Sequence, residues 1–146
     1  MSSTIFSIPK SFLFLVLVLT FMGFSGCRGL THNRAETRAN HDDPSLRTRN
    51  YSVSYEVFFA RLLDVSGALP RWQVLSHDST TGKIVATRTS RLFRFVDDIQ
   101  IQLIKKGDQA VSLDLHSASR VGKGDFGQNA RNIRELLDQL DQKILN

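Results

Sequence analysis

The sequence predicts an α+β domain of two layers, a four-stranded, mainly antiparallel sheet with two helices packed on one face. Two patterns point there. From Ile99 to Leu103 and from Val111 to Leu115, apolar and polar residues alternate, the period of a strand with one buried face. Ile133, Leu136, Leu137, Leu140 and Ile144 recur at helical spacing and draw one apolar stripe. A second helical stripe precedes the strands. Two helices on one face of an antiparallel sheet is the simplest way to bury both stripes, and it leaves Gln100, Gln102, Ser112 and Asp114 facing water.

The elements follow in order. Ser52 or Ser54 can cap the first helix, whose apolar side is Tyr55, Phe58, Phe59, Leu62 and Leu63, with Leu69 near its end. Gly67 and Pro70 stop it. Trp72, Val74 and Leu75 lie on a short strand that ends in the turn residues His77, Asp78 and Ser79. Gly82 leads into a second strand, Lys83 to Arg88, and the two form a hairpin. Arg94 to Lys105 is a longer strand, and Lys106, Gly107 and Asp108 turn into the strand of Val111, Leu113 and Leu115. Asp125, three positions before Gln128, has the form of a capping box opening the last helix.

Ahead of this domain the chain reads differently. Phe12 to Phe24 is apolar apart from Thr20 and Gly23, shorter than the roughly 20 residues a membrane-crossing helix needs. Lys10 and the amino terminus place positive charge before it, and Gly26 leads into Cys27, the single cysteine of the chain. This is the pattern of a bacterial lipoprotein signal, with 1–27 as the signal peptide and Cys27 as the acylated first residue of the mature protein. Phe24 stands where such signals usually carry leucine. A cleaved secretory signal and a retained anchor are the other readings. Residues 28–50 are polar and read as a flexible tether, or else as an irregular first segment packing through Leu46 and Tyr51. The single α+β domain then spans 51–146.

Composition narrows the function classes. One cysteine permits no internal disulfide and no thiolate metal cluster, and no histidine has metal-ligand spacing, so neither a metal site nor a cofactor is implied. The net charge of +5 is mild and does not point to nucleic acid. The expected location is the bacterial cell envelope, facing the periplasm or the exterior, with the membrane engaged through a lipid anchor.

Four features bear on chemistry. The stretch from Ser117 to Asn129 brings three glycines, Arg120 and Lys123 close to a helix start, so it reads either as a rigid turn or as a site for an anion such as phosphate or a lipid head group. Asp125, as the cap of that helix, opposes an anion there. Asp97 and Asp98 are adjacent on a strand and so face opposite sides, which removes them as a converging acid–base pair. His116 and Ser117 also point to opposite faces, so no serine–histidine–acid arrangement forms and no catalytic residue is assigned. Arg88 to Phe95 interleaves arginines with Leu92, Phe93 and Phe95. It reads as a hairpin with aromatics inward and arginines in water, or as a surface for anionic lipid or an acidic partner.

Phe95 to Ile101 and, more strongly, Val111 to Arg134 resemble the signature of the family known as domain of unknown function 1499, over roughly Tyr51 to Leu140. The family's Asp-Asp pair falls on Asp97 and Asp98, its Arg-Ser-x-Ser-Arg-x-Gly stretch on His116 to Gly122, and its Asp-x-Gly-x-Asn on Asp125, Gly127 and Asn129. His116 stands where an arginine is common. The resemblance implies a linked polar group of Asp97, Asp98, Arg120, Asp125 and Asn129, and lends no activity. The expected function is a non-enzymatic binding or accessory module with an envelope protein or a small anionic ligand as partner. The alternatives are a small hydrolase-like enzyme using Asp97 or Asp98, His116 and Arg120, or an anion-binding protein.

Overall fold

The computed structural model describes residues 32–145. Residues 1–27, expected to form a signal peptide ending at Cys27, lie outside the described residues. The chain runs β1 (Arg34–Glu36), a 3-10 turn (Pro44–Leu46), β2 (Arg49–Tyr51), α1 (Tyr55–Ala68), β3 (Trp72–Asp78), β4 (Lys83–Thr89), β5 (Val96–Gly107), β6 (Ala110–Ser119) and α2 (Gln128–Leu145). All strand pairs are antiparallel, in the order β1-β6-β5-β4-β3, with β2 also paired to β6. No helix among the described residues is long and apolar enough to cross a membrane.

The α+β class, the two helices and the antiparallel sheet are as expected, but the sheet has six strands, not four. Of the two extra strands, β1 lies within the 28–50 stretch expected to be a tether and β2 spans its end. Both pair with the same edge of β6, Arg34–Glu36 against Ala118–His116 and Arg49–Tyr51 against Leu113–Val111. Residues 37–48 bulge away between them. Asp114 of β6 sits at the gap and accepts from the hydroxyls of Thr37 (3.2 Å) and Thr48 (2.6 Å), which closes the excursion at its base. Leu46 from this loop is buried in the core, so residues 34–51 belong to the domain.

The loop is tied to α2 as well. Arg134 donates to Asp43 Oδ2 at 2.6 Å and to Ser45 Oγ at 2.6 Å. Asp43 also accepts from the Ser45 hydroxyl (2.6 Å) and backbone N–H (2.9 Å). The Ser45 hydroxyl, the Ser45 N–H and then Arg134 hold the Asp43 carboxyl down at about 2 from the usual 3.8. A carboxylate depressed in the folded state contributes stability above its unfolded value, and that contribution disappears as pH falls through the folded value. Asp43→Asn is therefore expected to melt lower than wild type above pH 3.8, with the gap closing as pH approaches 2, read from paired thermal melts.

One face of the sheet carries the core. Ile84 and Ala86 of β4, Ile99, Ile101 and Leu103 of β5, and Val111, Leu113 and Leu115 of β6 meet Phe58 and Leu62 of α1 and Ile133, Leu136, Leu137 and Leu140 of α2, all of them buried. The helices also touch each other. Tyr51 packs its ring 4.6 Å from that of Phe58 and donates to Asp141 at 2.7 Å, and burial followed by this bond pushes its phenol up. Among the described residues no helix lies on the opposite face.

Candidate functional site

Strand register places a polar row at one end of the helix-covered face. Trp72 pairs with Arg88, Arg88 with Asp97, and Asp97 with Ser119, so all four side chains project toward α2. The helix answers in kind. Its apolar stripe of Leu140, Leu137, Leu136 and Ile133 continues toward the N-terminus at the same spacing as Asn132 and Asn129, both fully buried.

The contacts interlock. Asp97, 2% exposed, accepts from Ser119 Oγ (2.6 Å) and from Asn132 Nδ2 (2.8 Å). Asn132 Nδ2 also donates to Ser117 Oγ (3.1 Å), and Ser117 donates to Asn129 Oδ1 (2.6 Å). Asn129 Nδ2 reaches Ser119 Oγ (2.9 Å) and the carbonyl of Asn33 just before β1 (2.8 Å). Beside this cluster, Glu135 Oε2 accepts from Arg88 Nε (3.1 Å) and Trp72 Nε1 (3.2 Å). No buried side-chain nitrogen or oxygen among the described residues lacks a hydrogen-bond partner. A saturated buried network fixes how α2 seats on the sheet, since each unmet group there would carry its full desolvation cost.

Asp125 caps α2 through its carboxylate, which accepts from the N–H groups of Gly127 (2.9 Å) and Asn129 (2.6 Å). The reciprocal half of a capping box is absent. Gln128 turns forward to Asn132 Oδ1 (2.7 Å) instead of back to the cap. The helix-start N–H groups of Gly127 and Asn129 are thus taken by a carboxylate of the chain itself.

The residues singled out from the sequence divide between two faces. Asp97, Asp125 and Asn129 come together in or beside the buried network. Asp98 faces the other way, where Arg120 grips it at 2.7 Å and 3.0 Å from its two donor nitrogens. This exposed pair raises the already basic Arg120 further. His116 lies on that same helix-free face, opposite Gln100 and Glu36. Asp114, its nearest acid in sequence, is already bonded to two threonines, while Ser117 and Ser119 project to the other side. Lys123 is exposed on the loop before α2.

In the segment from Arg88 to Phe95 the orientation is the reverse of the inward-aromatic hairpin. Arg88 is buried against Glu135, while Leu92, Phe93 and Phe95 are exposed. Sequence reading put Arg88 in water and missed Trp72, Asn132 and Glu135 as members of this network. The backward continuation of the α2 stripe onto Asn132 and Asn129 was the available signal.

A groove of about 940 Å³ runs between β1, the 37–48 loop and the start of α2. Arg34, Arg38, Arg131 and Arg134 line it, as do Glu36, Asp42, Asp43 and Asp125. The four arginines and four acids balance, and none of the catalytic candidates Asp97, Asp98, His116 or Arg120 opens into it.

The family model described as "Protein of unknown function (DUF1499)" matches residues 29–140, which takes in β1 and β2 as well as the motif-bearing strands and α2. No match was found among curated proteins. The chain is similar to a solution NMR structure from Thermobifida fusca, at 11% identity and a TM-score of 0.41 over 73% of this chain and 83% of that one. It is also similar to a crystal structure from Thermus thermophilus, at 12% identity and 0.39 over 76% and 97%. A third similar structure, titled as a START superfamily protein from Mycobacterium smegmatis, gives 9% identity and 0.37 over 77% and 93%.

Proposed function

We propose that this chain, a member of the DUF1499 family, is a membrane-anchored module of the bacterial cell envelope, and that it binds a partner protein rather than catalysing a reaction. The observation behind this reading is the division between network and groove. Of the catalytic candidates read from the sequence, Asp97 is bonded to Ser119 and Asp98 to Arg120 in structural roles, and neither they nor His116 opens into the groove. Its lining is balanced in charge, which suits a polypeptide segment carrying both signs better than a bare phosphate or carboxylate. The anchor is the acylated Cys27 read from the sequence.

Photo-crosslinking in native membranes tests the binding reading. A crosslinker at Asn40, an exposed residue on the groove wall, is expected to capture a discrete protein adduct. One at Gln139, exposed on α2 and outside the groove lining, is not, and Arg34→Glu should remove the Asn40 adduct. Equal capture at both positions, or adducts indifferent to Arg34→Glu, would count against a partner in the groove.

A further inference from the structure

Five of the eight exposed large apolar side chains among the described residues gather at one end of the sheet. Leu92, Phe93 and Phe95 come from the loop between β4 and β5, and Val121 and Phe126 from the loop between β6 and α2. The register Asp97↔Ser119 and the bond from Arg120 N–H to Val96 carbonyl (3.2 Å) put these loops side by side. Leu92 is 80% exposed, Phe126 74% and Phe93 69%, and the rings of Phe93 and Phe95 stack at 5.5 Å. Arg91, Arg94 and Lys123 stand among them, all exposed. The carboxylate within these loops, Asp125, is taken by the helix cap, and Asp98 on the adjoining β5 by Arg120.

The described chain also begins at this end. Asn33 bonds Ser119 N–H through its carbonyl (2.8 Å) and Gly122 carbonyl through its side chain (3.1 Å). Cys27 precedes Asn33 by six residues, a stretch that reaches at most about 20 Å. Whatever holds the chain ahead of Cys27 therefore lies close to these loops. The turns at the far end, after β3 and β5, are a whole strand length away; the twelve residues of β5 alone span about 40 Å.

We propose that the 90–95 and 120–126 loops form a membrane-docking face, with Leu92, Phe93, Phe95, Val121 and Phe126 set into the bilayer interface and Arg91, Arg94 and Lys123 against anionic lipid head groups. Phe and aliphatic tips interleaved with cations match the chemistry of that interface, where such apolar side chains bury into the head-group/acyl boundary and basic residues meet negative surface potential. The inference rests on the reading that the N-terminal segment holds the chain at a membrane. It adds an orientation: the loop end faces the lipid, and the β3–β4 and β5–β6 turns face away.

The test uses the full chain in vesicles of phosphatidylethanolamine and phosphatidylglycerol containing a lipid spin-labelled near the head group. A bimane fluorophore is placed at Phe93→Cys or, at the opposite end, at Gln109→Cys; both positions are exposed in the fold. Quenching is expected at 93 and not at 109. Each cation neutralised in R91Q/R94Q/K123Q should lower the docked-to-undocked ratio about fivefold. Equal quenching at the two positions would overturn the docking face. Failure of the anchor reads out separately, because an acylated Cys27 leaves the wild-type chain without a reactive thiol. Should the wild-type thiol react, the same comparison on a Cys27→Ala background still decides the docking face.

Discussion

Asp97→Ala is expected to lower stability by about 3 kcal/mol, a melting temperature roughly 10 °C below wild type. The substitution removes the acceptor for Ser119 Oγ at 2.6 Å and for Asn132 Nδ2 at 2.8 Å, in a site where the carboxylate is 2% exposed. Hydrogen bonds to a buried charge contribute about 1.5–3 kcal/mol each, and relief of the carboxylate's own desolvation offsets part of their loss. Asp97→Asn keeps the shape but turns an amide donor toward a donor, so it should fall between the two. Asp98→Ala, one residue away, breaks only the exposed contact with Arg120 and should melt with wild type. If the Asp97 and Asp98 variants melt together, the buried network does not seat α2. A double-mutant cycle of Asp97→Ala with Asn132→Ala should show coupling of about 1–2 kcal/mol.

Gly82→Ala is expected to cost about 3 kcal/mol for a reason that lies in the backbone. Gly82 closes the β3–β4 turn with φ of 72°, a left-handed conformation that costs an L-residue about 1–2 kcal/mol. A Cβ at that position would stand 2.1 Å from the Leu103 carbonyl oxygen and 2.8 Å from Tyr55 Oη. The turn would have to move away from β5, and with it the bond from Leu103 N–H to Gly82 carbonyl, now 2.8 Å. Gly67→Ala gives the contrast. A Cβ there meets nothing within 4 Å, and in the last turn of α1 alanine should stabilise by about 0.5 kcal/mol. Chemical denaturation of the two variants should show opposite signs. A Gly82→Ala chain as stable as wild type would mean the turn is not held where the structure puts it.

How far the sequence shows this fold depends on how local each signal is. β5 and β6 announce themselves because Ile99, Ile101 and Leu103 alternate with glutamines and Val111, Leu113 and Leu115 with polar residues, and both strands bury one face. The stripe of α2 is equally plain. β1 and β2 are not, since Arg34–Glu36 and Arg49–Tyr51 are three residues each, mostly polar, and pair through backbone with a strand about 60 or more residues later. Their reason for being strands lies in Asp114, Arg134 and the edge of β6, none of which a local window contains.

The site follows the same rule. Alternation alone sets Asp97 and Asp98 on opposite faces, and the structure has one buried among asparagines and the other gripped by Arg120. It cannot place Arg88, which looks like one more surface arginine beside Phe93 and Phe95. Glu135, which also accepts from Trp72, draws Arg88 inward, and it lies 47 residues away. With the arginine inside and the aromatics out, the loop turns over relative to the expected hairpin.

The bracing of Asn33 has a mechanical consequence. Any pull transmitted through the residues ahead of His32 enters the fold at Asn33, where three hydrogen bonds converge, from Ser119 N–H, from Asn129 Nδ2 and to the Gly122 carbonyl. A force along β1, away from the sheet end, runs parallel to the strands and across the ladder between Arg34–Glu36 and Ala118–His116. In that geometry the ladder is loaded in shear, its bonds strained together and not peeled one at a time. A strand of three residues then resists extraction better than its length suggests, and the N-terminal edge of the domain becomes a point of tensile strength.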